Sequence, residues 1–518
     1  MNDDLNQPRI NPWIVAAAVI LPMFIEVLDT TVVSVALQTI AGNLSATISQ
    51  ATWIQTGYLI ANAIVLPASA WFSAKFGRKR FLMICIGIFT LASLACGVAP
   101  NLPFLIIASI VQGLGGGALQ PLSQAILLES FPPAKRGVAM AVYVFGVVLA
   151  PVLGPVVGGW LTENYSWRWI FYINIPCGLA ALWMIKQFVF DPEYIRKVKP
   201  GRIDAFGFLV LAIWLGTLQT VLNRGQDEDW FNSNFICWLS VISVIALIAF
   251  IVREFWTREP LADLRVFADQ NFLFGTGLIA LIFFLLYGIM NLQPLLAQGL
   301  MGYTAYASGM TQAARGWGMV VLTPLVGYLT GKVDSRLLIG PGIVITAVSA
   351  FLNGDFNLDM SSHAFFWPNV LQGMGIVLTS IPLAYVAISN VSNERMGNAT
   401  GLFALARNLA GSIGIAVAIA MVSRGALRHQ AYLVSHLTPY DLPYQGAVQM
   451  GQAVLTPAVG SAQAGPGALG AIYQSLLLHS NMLAFVDAFR WLALICFLSI
   501  PLVLLLKKAQ GRKDVMLH

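Results

Sequence analysis

Apolar segments of roughly 17–25 residues recur from one end of the sequence to the other, and each is long enough to cross about 30 Å of hydrocarbon. Only 10% of the 518 residues are charged, whereas a soluble chain usually carries about 25%. That deficit excludes an ordinary globular protein. The sequence therefore predicts an all-α integral membrane protein with most of its mass in lipid.

Hydropathy windows of about 19 residues predict roughly fourteen helical spans. An even number of spans puts both termini on the same side of the membrane. The predicted spans lie near residues 13–35, 50–72, 81–99, 103–128, 137–160, 167–189, 203–223, 231–252, 271–297, 305–331, 336–353, 364–390, 397–422 and 482–506.

The basic residues fall mainly in the short loops on one side of the predicted bundle. The net charge is +6, and an excess of Lys and Arg marks the cytoplasmic loops of a membrane protein. If the amino terminus is inside, the outer loops hold little beyond Arg168, Arg224, Arg424 and Arg428. This bias predicts cytoplasmic termini. The predicted inner basic residues are Arg9, Lys75, Arg78, Lys79, Arg80, Lys135, Arg136, Lys186, Arg196, Lys197, Lys199, Arg202, Arg253, Arg258, Arg265, Lys332, Arg336, Arg395, Lys507, Lys508, Arg512 and Lys513.

The sequence shows no pattern that holds a metal or a nucleotide. Its five cysteines lie in or beside apolar segments without a CxxC or Cys/His spacing, so we interpret them as core residues rather than as disulfides or metal ligands. No Walker motif is present, which argues against direct drive by ATP. No HExxH or GxSxG motif indicates an intramembrane enzyme. We therefore expect no cofactor and no enzymatic activity.

An internal repeat relates the two ends of the chain. The motif at 111–115 (VQGLG) matches 371–375 (LQGMG), and Gly137 matches Gly397 in the same register. The repeat predicts two parallel six-helix halves, residues 1–200 and 263–518, with two inserted spans at 201–262. The segment at 424–481 mixes Pro, Gly, Gln and Ala, and we predict a long outer loop there, either disordered or an outward docking element.

Two carboxyl groups lie inside the first predicted span. Glu26 and Asp29 are three residues apart and so share one helical face, at a depth of about 20–24 Å from the start of the helix. A carboxylate at that depth is costly unless it faces a cavity, meets a cation or is protonated. Such a group can load and release a proton during transport. The alternative is a structural acid that is hydrogen-bonded to neighbouring helices.

Other polar or helix-bending residues occur in the apolar segments. Arg315 and Arg407 are buried cations by position, and Arg407 either compensates an acid, binds an anion or locks two helices together. The span at 103–128 is rich in glycine and glutamine, which favours close packing or a wet path. The span at 137–160 carries Pro and Gly in a pattern suited to a bend packed against the other half. Asp487 and Arg490 are interpreted as an interfacial pair.

Taken together, these residues resemble the major facilitator superfamily, and within it the fourteen-helix drug:proton antiporters of the EmrB/QacA branch. The motifs that carry the resemblance cover nearly the whole chain. They are Leu28 to Leu37, Gly77-Arg78-Lys79-Arg80, Gln112-Gly113-Leu114-Gly115, Gly154-Pro155 with Gly158-Gly159, Trp167 to Pro176, and Arg407 to Gly414.

Three positions depart from the family pattern. Ser109 stands where the family usually has an arginine, Ala74 where it often has an acid, and Gln38 where it commonly has a proline. Without the arginine at 109, the expected proton-coupling site shifts to Asp29 first and Glu26 second.

The resemblance implies a major facilitator fold of fourteen transmembrane helices, two six-helix halves plus two inserted central helices, that exports small amphipathic compounds across the inner membrane by alternating access. It implies drive by the proton gradient and, for EmrB-like members, a periplasmic adaptor and an outer-membrane channel of the EmrA and TolC kind. The expected substrate-cavity residues are Tyr58, Asn62, Gln120, Gln124, Tyr143, Tyr287 and Asn291. The expected conformational residues are Gly77, Arg78, Gln112, Gly113, Gly154, Pro155, Gly158, Gly159 and Arg407.

Other functions stay open from the sequence alone. The chain is alternatively an exporter of an endogenous metabolite or a siderophore. A membrane channel or receptor is a further class, which the internal duplication disfavours.

Overall fold

The computed structural model describes residues 11–132, 135–191, 204–257, 260, 262–330, 332–392 and 395–507. Several predicted inner basic residues, namely Arg9, Arg196, Lys197, Lys199, Arg202, Arg258, Lys508, Arg512 and Lys513, lie outside these ranges, as do the predicted half boundary at 200 and its counterpart at 201. Within the described ranges the regular structure is helical, apart from one isolated bridge between Thr330 and Val333. The predicted all-α class is confirmed.

The helices follow one another with short connections. We number them α1 (Pro12–Asn43), α2 (Ile48–Phe76), α3 (Arg78–Gly97), α4 (Leu102–Gly116), α5 (Leu119–Ser130), α6 (Arg136–Asn164), α7 (Trp169–Tyr172), α8 (Asn174–Phe188), α9 (Ala205–Arg224), α10 (Asn234–Trp256), α11 (Gln270–Pro294), α12 (Ala305–Leu329), α13 (Arg336–Asn353), α14 (Phe366–Ile388), α15 (Met396–Ser435), α16 (Leu442–Val459) and α17 (Ser461–Leu498).

Twelve helical segments in the described part of the chain are long and apolar enough to cross a membrane. The chain is therefore a multi-pass membrane protein. Two further helices, α2 with 29 residues and α12 with 25, coincide with predicted spans but carry more polar side chains. Both line the space between the halves, where polar groups meet a cavity instead of lipid. The count of fourteen spans stays a prediction.

The bundle has two ends, which we define by their turns. The termini end carries the end of α5, the start of α6 and the end of α10, and the opposite end carries the turns at 98–101 and 225–233. At the termini end, α6 of the first half packs against α12 of the second. A Cβ on Gly137 would lie 2.7 Å from the Thr330 carbonyl oxygen, so only glycine permits this approach. The halves are thus in direct contact at the termini end.

The segment at 424–481, predicted as a loop, is helical. Helix α15 continues to Ser435, α16 follows after six residues, and α17 begins at Ser461. Pro443 falls in the first turn of α16, where the missing N–H is not needed. Gly460 has a φ of 81°, the left-handed region that glycine tolerates, and it makes the sharp turn between α16 and α17. The Pro and Gly residues therefore mark helix ends in this segment, and the Ala, Leu and Gln between them form helix.

Candidate transport cavity

A cavity of about 450 Å³ lies between the two halves and extends from the middle of the bundle towards the opposite end. That volume suits a drug-sized molecule. Both halves and the inserted helix α9 contribute to its wall. Of the residues predicted to line it, the structure places Tyr58, Asn62, Gln120, Tyr287 and Asn291 there.

The other two predicted lining residues lie elsewhere. Gln124 and Tyr143 are buried around a separate void of about 10 Å³, too small for a substrate, which Arg407 also borders. Gln124 lies one helical turn beyond Gln120 on α5, nearer the termini end. There the halves are in contact, so a side chain at this level packs rather than faces open space. Tyr143 donates its hydroxyl to the Gln120 carbonyl oxygen at 3.1 Å.

Asp29 lines the cavity and is held by neutral amides. Its side chain is only 2% exposed. Gln112 Nε2 on α4 donates to Asp29 Oδ2 at 3.0 Å, and Asn174 Nδ2 on α8 donates to Oδ1 at 2.5 Å. No Lys, Arg or His approaches this carboxyl within ion-pair distance in the described part of the chain. The carboxyl is thus stabilised by hydrogen bonds that add no compensating charge.

Asn174 lies in the family-like motif from Trp167 to Pro176, and the sequence alone assigns it no role. Its Nδ2 also donates to Ser93 Oγ at 2.9 Å, while its own Oδ1 is buried without a hydrogen-bond partner among the described residues. An amide offers a donor and an acceptor on one group. Asn174 can therefore donate to an ionised Asp29 or, with its amide turned over, accept from a protonated one. The signal for it was an amide inside an apolar run.

Glu26 is surrounded by three of the predicted cavity residues. It is 3% exposed. Asn62 Nδ2 donates to Oε1 at 2.8 Å, Gln120 Nε2 donates to Oε2 at 2.7 Å, and the Tyr58 hydroxyl donates to Oε1 at 3.4 Å. Glu26 also lines the cavity. Two buried acids on one face of α1 therefore border the same space.

Arg407 connects the second half to these acids. Its Nη2 donates to Oε1 of Gln120, whose Nε2 in turn donates to Glu26. The guanidinium lies over the Phe283 ring at 5.3 Å from the centroid, a cation–π contact. The chain from Arg407 through Gln120 to Glu26 crosses from one half to the other. Among the described residues Arg407 contacts no carboxylate directly, and it reaches Glu26 through Gln120.

Arg315 lies away from the cavity, inside the second half. It is fully buried, and it donates to Gln372 at 2.8 Å, to Gln293 at 2.8 Å and to Asn369 at 2.9 Å. Gln372 is the repeat counterpart of Gln112. The two repeat-related glutamines therefore contact groups of opposite charge, an acid on α1 in the first half and a base on α12 in the second. Because all its partners belong to one half, Arg315 acts within that half.

The predicted conformational residues fall in two regions. At the termini end, Gly77 takes a φ of 83° between α2 and α3, and Arg78 pairs with Glu129. The Asp191 carboxylate accepts from the Lys79 backbone N–H at 2.8 Å, which caps the start of α3. On α4, next to Gln112, Gly113 lets the helix pack against the backbone of Tyr58. Arg78 also lies near the second half, since a Cβ on Gly397 of α15 would be 3.8 Å from its Nη2.

Helix α6 is wedged between α1 and the second half. Gly154 lies against Thr31 of α1, and a Cβ on Gly158 would lie 2.9 Å from Val32 Cγ1. On its other side, Gly309 of α12 approaches Val156, the residue after Pro155. Gly159 is buried on the same helix. The predicted Gly/Pro pattern thus packs directly beside the turn that follows Asp29.

Gly158→Val is expected to destabilise the protein by about 1–3 kcal/mol, because the new side chain meets Val32 atoms that cannot retreat from a packed helix. The readout is thermal unfolding of the purified protein in detergent. Gly277→Val is the matched control, since that glycine is exposed on α11 with nothing within 4 Å of an added Cβ. Equal unfolding temperatures for the two variants contradict the close packing of α6 on α1.

The described residues hold no group of three His, Cys, Asp or Glu side chains that could bind a metal ion. The five cysteines are unpaired, and Cys85, Cys96 and Cys496 are buried. The polar groups of the cavity are amides, hydroxyls and the two carboxyls.

Comparison with known proteins shows what the chain is similar to. A family model described as Major Facilitator Superfamily matches residues 19–415. The chain is 37% identical over 429 residues to the multidrug export protein EmrB of Escherichia coli strain K12, covering 83% of each chain. It is 36% identical over 421 residues to the fatty acid resistance protein FarB of Neisseria gonorrhoeae, covering 81% of this chain and 83% of that one. The fold is similar to the crystal structure of the human organic anion transporter MFSD10, with a TM-score of 0.55 and 13% identity over 92% of this chain and 100% of that chain.

Proposed function

The chain belongs to the major facilitator superfamily, and from this premise we propose that it exports drugs and other small amphipathic molecules in exchange for protons. The family identifies a transporter rather than an enzyme. Its relatives named as multidrug export proteins support the export of drugs. The observation that carries the proposal is the pair of buried acids, Asp29 and Glu26, on the wall of one drug-sized cavity.

A proton-coupled carrier needs a group that is stable in both protonation states. Asp29 has donors on both of its oxygens but no basic partner in the part of the chain that the structure describes. A tightly bound cation would hold the carboxylate permanently ionised, whereas an amide such as Asn174 serves either state. Asp29 is therefore the proposed proton carrier, and Glu26 the second.

The charges of the wall indicate which substrates the cavity suits. Glu26 and Asp29 are the charged side chains among the described lining residues, and Arg407, which is connected to Glu26 through Gln120, does not line the cavity. The other groups are apolar, amide, hydroxyl and aromatic, such as Tyr58 and Tyr287. Flat organic cations with aromatic or alkyl surface match this wall through charge, ring contacts and hydrogen bonds. Competition between such a cation and a proton for the same acids gives exchange.

The structure fits one state of an alternating-access cycle. The halves touch at the termini end, while the cavity extends to the opposite end. The loop charges favour cytoplasmic termini in an inner-membrane protein, and with that orientation we propose that this state faces outward. Protonation from outside then releases substrate, and rocking of the halves carries the proton inward.

An adaptor and an outer-membrane channel belong to the proposal as partners. Support comes from the helical projection formed by the end of α15, by α16 and by the start of α17, on the opposite end of the bundle. Residues 442–478 carry no charged side chain, and Tyr440, Leu442 and Met450 are largely exposed. We expect drug resistance in cells to require an adaptor protein and transport in liposomes to proceed without one. Together, these results would show that the adaptor is needed for export in the cell but not for the transport step itself.

Reconstitution tests the proposed function. We expect proteoliposomes that hold the purified protein to accumulate ethidium inside when an imposed gradient drives protons out of the vesicle. Accumulation should stop when an ionophore dissipates that gradient. Empty liposomes are the control. Substrate movement that is indifferent to the ionophore contradicts proton exchange and favours a channel.

A further inference from the structure

We propose that the inserted helix α9 is part of the substrate site: its Gln219 and Asn223 bind the hydrogen-bonding portion of the substrate, and the helix closes the side of the cavity between α2 and α15. This inference rests on the proposed export function and adds a binding element that lies outside the internal repeat.

The position of α9 is unlike that of a peripheral helix. It packs against α2 of the first half and also against α15 of the second. Gln219 Nε2 donates to Ser412 Oγ on α15 at 3.3 Å. Near the end of α9, Arg224 Nη1 donates to Thr52 Oγ1 on α2 at 3.1 Å, and its guanidinium lies over the Trp53 ring. The helix is thus attached to both halves at the level of the cavity.

The polar residues of α9 face the cavity instead of lipid. Gln219 and Asn223 are one turn apart and share a face, and both line the cavity together with Ser412. Asn223 Nδ2 donates to the Gln219 backbone oxygen at 2.8 Å and approaches its Oε1 at 3.3 Å. Amides facing hydrocarbon lack partners and are costly there. Two amide side chains one turn apart on the same face of α9 therefore indicate that this face borders a water-filled cavity.

The second inserted helix has the opposite character. Helix α10 is apolar for most of its length and exposes Trp238, Val244 and Ile245. It packs on the far side of α9, where Phe250 stacks on Trp214 at 5.8 Å between ring centroids. The inserted pair is therefore layered, with α10 towards lipid and α9 towards the cavity.

The chemistry of this wall selects substrates with N–H donors. Amide oxygens accept hydrogen bonds from amines and ammonium groups, and the Ser412 hydroxyl adds a further acceptor next to Gln219. A lipophilic cation with aromatic amines, such as ethidium, can use these groups. Tetraphenylphosphonium has the same charge but no donor, so it gains nothing from them.

The test compares these two cations on the same variants. Gln219→Leu and Asn223→Leu are expected to weaken ethidium binding to the purified protein by about 2- to 10-fold, the effect of losing one hydrogen bond, with tetraphenylphosphonium binding changed less than twofold. Thr217→Val is the matched control, because its hydroxyl donates to the Ile213 carbonyl oxygen on the face of α9 away from Gln219. Both affinities of the control should equal those of the parent.

Thiol labelling gives an independent readout of access. The thiol introduced by Asn223→Cys should react with a membrane-impermeant maleimide and be protected by saturating ethidium, after subtraction of labelling of the native cysteines in the parent. The thiol introduced by Thr217→Cys should show no protection by ethidium.

The outcomes separate the inference from the function on which it rests. If the parent binds neither cation, the proposed export function fails. If the parent binds both, and the α9 variants weaken them equally or not at all, α9 is a structural helix and the inference is overturned. Equal protection of the two introduced thiols by ethidium would also contradict the inference. It would indicate that the whole cavity closes rather than that ethidium contacts position 223.

Discussion

Asp29→Asn is expected to abolish gradient-driven export while leaving the fold in place and weakening, without abolishing, the binding of a cation, because Glu26 still lines the cavity. Asparagine has the shape of a protonated aspartate but carries no proton that ionises near neutral pH. Its amide still accepts from Gln112 or Asn174, and it can donate to the Asn174 oxygen that has no other partner in the described structure. The variant therefore keeps its buried hydrogen bonds, and it loses the proton site together with one of the two acids on the cavity wall.

The size of the effect follows from the driving force. A proton gradient equivalent to 100 mV is worth about 2.3 kcal/mol per proton, which sustains a substrate accumulation ratio of roughly 50 for each proton exchanged. In proteoliposomes with an imposed gradient, the parent should approach such a ratio and Asp29→Asn should stay near 1. Exchange of labelled for unlabelled substrate without a gradient should continue in both.

Asp355→Asn provides the matched carboxyl-to-amide control. Asp355 lies 3.3 Å from Arg490 in a pair whose side chains are about half exposed, and exposed pairs contribute about 0–1 kcal/mol. The expected pairing of Arg490 with Asp487 is wrong, because Asp487 contacts His429 at 2.7 Å instead. This variant should accumulate substrate as the parent does. Accumulation by Asp29→Asn against a gradient would show that the proton enters elsewhere, and Glu26→Gln then becomes the decisive variant.

The membrane class and the two acids were predictable because the hydrocarbon core of a membrane strongly disfavours charged residues. A charged residue inside a long apolar segment is rare enough to identify Glu26 and Asp29 from the sequence. Their spacing of three residues then places both on one face of the helix. Tyr58, Asn62 and Gln120 were also predicted in this way, since a polar side chain inside a membrane span is costly unless it has hydrogen-bond partners or faces a cavity. These residues lie in the repeated halves, where each predicted span could be placed against its counterpart.

The features of the site that could not be predicted from the sequence depend on how the helices pack against one another. Asn174 follows the break between α7 and α8, and only the approach of α8 to α1 brings its amide to Asp29. Gln219 and Asn223 lie on an inserted helix that has no counterpart in the repeat, so nothing in the sequence indicated which face meets the cavity. Gln124 shares a helical face with Gln120, but one turn places it below the level where the halves separate.

Arg407→Gln is expected to lose transport without losing stability. The guanidinium is 4% exposed, its Nε has no hydrogen-bond partner in the described structure, and it contacts Gln120, the Phe283 ring and the Tyr143 hydroxyl. A buried cation without a carboxylate in direct contact is costly, so its removal should leave the unfolding temperature equal to or above that of the parent. A residue kept at such a cost has a role outside folding.

That role is to connect Glu26 to the second half, because Arg407 reaches Glu26 only through Gln120. Arg407→Gln and Glu26→Gln should each slow gradient-driven transport at least roughly tenfold, and the double variant should be no slower than either single one. Such non-additivity corresponds to a coupling energy of about 1–3 kcal/mol between the sites. Arg490→Gln, which removes an exposed cation, should transport at the parental rate. Independent effects, multiplying in the double variant, would show that Arg407 and Glu26 act in separate steps, and a fall in unfolding temperature would instead assign Arg407 to a static lock between the halves.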